Sequence, residues 1–83
     1  ERTPQVLHAV RVRSKPELES LPELSTALAR VERKLAGRGR LLVRYSGTEP
    51  VARVMLEGDD RAEIETIALE LCALIEREIG ENS

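Results

Sequence analysis

From Pro4 to Arg13 the side chains alternate, with Val6, His8, Val10 and Val12 on one side and Leu7, Ala9, Arg11 and Arg13 on the other. A period of two is that of a strand. Ser14 to Leu21 carries Pro16 and scattered acids, so it reads as a connection with room for one helical turn. Leu24, Leu28, Val31 and Leu35 then recur at spacings of four, three and four, which gathers them on one stripe of a helix. Ser20 and Glu23 have capping-box spacing, Pro22 suits a first turn, and Gly37 is placed to end the helix in the left-handed region. A second strand is predicted from Arg40 to about Ser46 and a third from Val51 to about Glu57. Gly58 then breaks the chain, and Asp60 with Glu63 offers another cap. Ile64, Ile67, Ala68, Leu71, Leu74, Ile75 and Ile79 describe a long amphipathic helix, with only the residues after Gly80 reading as frayed. The order β-α-β-β-α predicts an α+β fold, a small mixed sheet with two helices packed on one face.

The register of the second and third strands can be tested on paper, because a slip of one residue exchanges the faces of a strand. If Ser46 pairs with Val51, then Leu41 faces Leu56, Val43 faces Val54 and Tyr45 faces Ala52 on a wholly apolar side. The other side places Arg40 opposite Glu57, Leu42 opposite Met55 and Arg44 opposite Arg53. Pairing Tyr45 with Val51 instead would set Arg53 and Glu57 beside Val43 and Leu41, burying charge or exposing the core. The first register is therefore expected. It leaves Arg44 and Arg53 as like charges with no counter-charge across the ladder.

Composition narrows the picture. The chain of 83 residues reads as a single domain, 1–83, able to bury about 60 to 65% of its unfolded surface. Its hydrophobic residues are aliphatic, with Tyr45 the sole aromatic. The lone Cys72 cannot form an internal disulfide, which fits a reducing compartment, and among Leu71, Leu74 and Ile75 it reads as a buried structural thiol. One Cys and one His cannot build a metal site, and His8, set among valines, reads as a hydrogen-bonded or edge histidine. A net charge of −2 without aromatic platforms argues against a nucleic-acid binder. The basic residues Arg33, Lys34, Arg38 and Arg40 cluster where a helix C-terminus favours cations. These 83 residues hold no run of 18 apolar residues and do not open on a charged-then-apolar stretch, so neither a membrane span nor a signal peptide is expected in them. The chain starts at Glu1, as a piece of something longer would.

The candidate chemistry lies in Arg44-Tyr45-Ser46-Gly47-Thr48-Glu49-Pro50, with Arg53 just beyond. Two guanidiniums on one face, two hydroxyls and turn N–H groups arranged as a nest are what a phosphate would occupy. The alternative is a polar surface hairpin in which Glu49 folds back and neutralises the arginines.

These residues, followed by Arg53-Val54-Met55-Leu56-Glu57-Gly58 and preceded by Gly37-Arg38-Gly39-Arg40, resemble the C-terminal domain of the α-D-phosphohexomutases, most closely the bacterial phosphoglucosamine mutase branch. The likeness covers nearly the whole chain. It implies a TATA-box-binding-protein-like sheet and the fourth domain of a cytoplasmic enzyme that interconverts glucosamine 6-phosphate and glucosamine 1-phosphate through a phosphoserine and a bisphosphate intermediate. It implies Mg²⁺ bound outside this chain, and as partners a hexosamine phosphate and the other domains of the same enzyme. Carried over by match, Arg44, Ser46, Gly47 and Thr48 would contact the phosphate that does not react, with Arg53 a second-tier contact. Tyr45 departs from the residues more usual at its position, but the register points it into the apolar face. No nucleophilic serine segment, aspartate-rich metal loop or sugar-reading motif is present, so the chain alone is expected to be inactive. Other readings are a domain of a related phosphomannomutase or phosphoglucomutase, a stand-alone phospho-ligand module, and a protein-interaction domain.

Overall fold

The structure is a computed structural model and describes residues 3–81. Its elements follow the predicted order: β1 (Gln5–Arg11), α1 (Pro22–Leu35), β2 (Gly39–Tyr45), β3 (Val51–Gly58) and α2 (Arg61–Ile79), with a short 3₁₀ turn at Leu18–Ser20. The three strands lie in the order β1-β3-β2, and both pairings are antiparallel. The sheet expected to be mixed is thus antiparallel throughout. β1 and β2 do run the same way, but β3 lies between them, so the crossover through α1 spans two strand positions and creates no parallel ladder.

The hairpin has the predicted register, with Leu41 opposite Leu56, Val43 opposite Val54, Tyr45 opposite Ala52, Arg40 opposite Glu57 and Arg44 opposite Arg53. The physical reason is the one used to choose it: Ala52, Val54 and Leu56 are buried under the helices, whereas Arg40, Arg44 and Arg53 stay in water. β1 alternates in the same way. Val6, Val10 and Val12 are buried, and Leu7 lies 63% exposed on the open face.

α2 covers β1 and β3, and α1 covers β2 and packs on α2. The core is aliphatic, with Leu24, Leu35, Leu56, Ile64, Leu71 and Ile75 almost wholly out of water, and no buried side chain among the described residues is polar or charged. Burial of this kind contributes about 1.5–3 kcal/mol per large side chain.

Helix ends agree with expectation at three of four places. Gly37 takes φ 79°, where a side chain would be strained. Pro22 opens α1, and the Asp60 carboxylate accepts from the Glu63 N–H at 3.1 Å. The Ser20–Glu23 box does not form. Ser20 Oγ instead donates to the Glu17 carbonyl at 2.6 Å, because the 3₁₀ turn draws Ser20 back and Leu21 becomes the cap residue. The chain after α2 is also better held than predicted. Gly80 bridges to Val12, and the Glu81 N–H donates to the Arg11 carbonyl at 3.1 Å. The rest of the stretch expected to fray, Asn82 and Ser83, lies outside the described residues.

Candidate functional site

β2 and β3 deliver Arg44 and Arg53 side by side on the face that no helix covers. Directly opposed residues hold their Cβ atoms about 4.5–5.5 Å apart, and like charges there are destabilising. Arg40, on the same face beyond the Leu42–Met55 pair, is neutralised by Glu57 at 2.8 Å. Arg53 is approached by Glu49 at 3.3 Å, both side chains being largely exposed. Arg44 has no counter-ion among the described residues. The neutralisation that Glu49 could provide therefore reaches only one arginine of the pair.

The loop between the strands is ordered by Ser46. Its N–H donates to the Val51 carbonyl at 3.0 Å, which closes the ladder, and its Oγ accepts from the N–H groups of Thr48 at 3.3 Å and Glu49 at 3.2 Å. The αR-αL form of the expected nest is not present, because it needs a residue with positive φ and Gly37 is the sole residue with positive φ among those described. The serine hydroxyl takes the place of an anion, holding two N–H groups by long bonds while its own proton serves neither. The Gly47 N–H is unpartnered among the described residues, and a Cβ at Gly47 would meet nothing within 4 Å, so that side of the loop is open.

A third cation joins the loop without any signal in the sequence. Lys15 Nζ donates to the Ser46 carbonyl at 2.6 Å. The pairing of β1 with β3, which sets Arg11 opposite Val51, sends the chain leaving β1 past the hairpin loop. Val12 N–H donates to the Pro50 carbonyl at 2.8 Å, and the Tyr45 hydroxyl donates to the Pro16 carbonyl at 2.5 Å. Tyr45 points to the helix side as predicted, and its partial burial raises the phenol's pKa.

Other singled-out residues are accounted for by structure. Arg38 meets Asp59 at 3.1 Å and Glu63 at 3.2 Å, and Lys34 meets Glu63 at 3.8 Å. Glu63, by hydrogen bond and charge, holds the Arg38 guanidinium more firmly protonated. The basic cluster at the end of α1 is thus tied to the start of α2. His8 Nε2 lies 3.2 Å from Glu65 of α2, a hydrogen-bonded histidine. Cys72 is half-buried, and burial followed by the nearby Glu65 charge raises its pKa, which makes it a poor nucleophile. Among the described residues no group of three or more His, Cys, Asp or Glu could hold a metal, and no helix is long and apolar enough to cross a membrane.

Residues 7–74 match the family described as phosphoglucomutase/phosphomannomutase, C-terminal domain. The chain belongs to that family. Among relatives of the phosphoglucomutase/phosphomannomutase C-terminal domain, a phosphoglucosamine mutase of Syntrophotalea carbinolica is 52% identical over 77 residues, covering 93% of this chain and 17% of the relative. An Aspergillus fumigatus N-acetylphosphoglucosamine mutase variant in complex with glucose 1,6-bisphosphate superposes with a TM-score of 0.72 at 26% identity, over 90% of this chain and 15% of that one. The same fungus's enzyme in complex with GlcNAc-6P and magnesium shares the fold, with a TM-score of 0.56 at 24% identity over 89% of this chain and 16% of that one. The chain thus spans about a sixth of the length of the proteins it matches.

Proposed function

We propose that this domain grips the non-reacting phosphate of a hexosamine phosphate within a phosphoglucosamine mutase, an isomerase that interconverts glucosamine 6-phosphate and glucosamine 1-phosphate. The observation that carries the reading is the pair Arg44 and Arg53, opposed on an open face beside a hydroxyl-bearing loop, with Arg44 lacking a counter-ion. A phosphate monoester would supply that charge. The two guanidiniums donate in bidentate fashion, and the Ser46 and Thr48 hydroxyls and the Gly47 N–H complete the contacts. The high identity to a phosphoglucosamine mutase favours this sugar over those of the phosphomannomutase and phosphoglucomutase branches.

The energetics assign the loop a share of a site. Charge-assisted hydrogen bonds contribute about 1.5–3 kcal/mol each, while association costs at least about 4 kcal/mol. On an exposed turn the balance corresponds to a dissociation constant near 1 mM, or about −4 kcal/mol. Such a loop is suited to one wall of a cleft whose other walls bind the sugar and exclude water. The phosphoserine and the magnesium of that mechanism belong, on this reading, to the other domains of the enzyme, as the family resemblance implies. Magnesium there would supply charge stabilisation to the transferring phosphoryl group; this domain's part is to bind and orient.

The test is Arg44→Ala in the complete mutase. KM for the sugar phosphate should rise and turnover fall, with the domain still folded. Kinetics identical to the parent enzyme would refute the assignment.

A further inference from the structure

The end of the hairpin ladder is half closed. Ser46 N–H reaches the Val51 carbonyl at 3.0 Å, but the Val51 N–H turns away to the Glu49 carbonyl at 2.8 Å, so the returning bond to the Ser46 carbonyl is missing. That carbonyl is satisfied by the Lys15 ammonium at 2.6 Å. The segment bearing Lys15 is itself fixed on both sides, by Val12 N–H on the Pro50 carbonyl at 2.8 Å and by the Tyr45 hydroxyl on the Pro16 carbonyl at 2.5 Å. Both rims of the loop are therefore held by residues that leave β1.

We propose that Lys15 is the positioning residue of the phosphate loop and the third cation at its rim, an inference that rests on reading the loop as a phosphate site. An ammonium carries three donors, and one of them is engaged by Ser46. Lys15 has no carboxylate partner among the described residues. With Arg44 and Arg53 it leaves the loop two positive charges in excess of Glu49. That excess matches a phosphate monoester in its dianionic form better than a singly charged diester. Lysine supplies here what a backbone N–H cannot: it replaces the missing rung and adds charge at the same point.

The experiment compares the parent chain with Lys15→Met, Lys15→Arg and Arg44→Met. Two things are read by NMR: the shifts of the Ser46 to Thr48 amides on titration with inorganic phosphate, and hydrogen exchange at the Ser46 amide without ligand. In Lys15→Met the Ser46 amide should exchange several-fold faster and phosphate affinity should drop by about two- to five-fold, as loss of one exposed point charge without bidentate geometry implies. Lys15→Arg should restore both. If the parent binds phosphate, Arg44→Met loses it and Lys15→Met matches the parent in both readouts, the role of Lys15 is overturned and the phosphate reading stands. If the parent ignores phosphate, the phosphate reading falls and, with it, Lys15 as a phosphate cation. In that event the exchange rates still decide the latch, since equal Ser46 exchange in the parent and Lys15→Met overturns it and faster exchange upholds it.

Discussion

Arg44→Met separates a residue kept for binding from one kept for folding, because it should move the two properties in opposite directions. Arg44 is exposed, unpaired and directly opposite Arg53. Methionine keeps much of the aliphatic stem and removes the charge. Relief of a directly opposed like-charge pair is worth about 0.2–1 kcal/mol. For a domain of this size that corresponds to a rise of about 1–8 °C in the unfolding midpoint. Loss of one charge-assisted contact to phosphate, at about 1.5–3 kcal/mol, should weaken phosphate binding by about 10- to 150-fold. Thermal unfolding followed by circular dichroism at low salt, paired with an NMR phosphate titration, measures both. The stability gain should shrink in about 1 M salt, where the screening length falls to about 3 Å. A lowered midpoint would show that Arg44 serves packing, and phosphate affinity within two-fold of the parent's would show that its open face is not an anion site.

Glu49→Gln should strengthen phosphate binding by about two- to five-fold, since it removes the carboxylate that competes for Arg53 at 3.3 Å; isothermal titration of the two chains checks this, and weaker binding would instead give Glu49 a supporting role. Gly39→Ala should destabilise by about 1–3 kcal/mol in urea unfolding, because its Cβ would lie 2.0 Å from the Glu57 carbonyl oxygen, whereas Gly47→Ala, facing open space, should cost no packing energy. Stability should also fall in alkali. Burial raises the pKa of Cys72 and of Tyr45 in the folded chain, so the unfolded chain releases those protons first. The contribution is intact below the ordinary thiol and phenol values and is lost as pH rises through the raised ones, a decline across about pH 8 to 11. Midpoints measured over that range should decline less steeply in Cys72→Ala.

The element order and the hairpin were legible because both rest on local periodicity and on one exclusion. Charge does not belong beside Val43 and Leu41, and that alone selects the register that opposes Arg44 to Arg53. The stripe of α1, the Asp60 cap and Gly37 are equally local features, fixed by spacing and by the freedom of glycine. Ser20 was misleading for the same reason. Capping-box spacing cannot tell that a 3₁₀ turn will claim the serine first.

Strand order is different in kind. Nothing in a stretch of alternating valines says which strand it will lie beside, and only the packed sheet sets β1 against β3. That choice makes the sheet antiparallel and carries Lys15 and Pro16 past the loop. The conformation of the loop was likewise out of reach. A Ser-Gly-Thr run permits an αR-αL nest, but the bonds that Ser46 makes to Thr48, Glu49 and Val51 decide otherwise. Periodicity, charge and turn chemistry thus settled which residues share a face, because those depend on neighbours along the chain. Which cations surround the loop depends on contacts between residues some 31 positions apart, and only tertiary packing can bring those about.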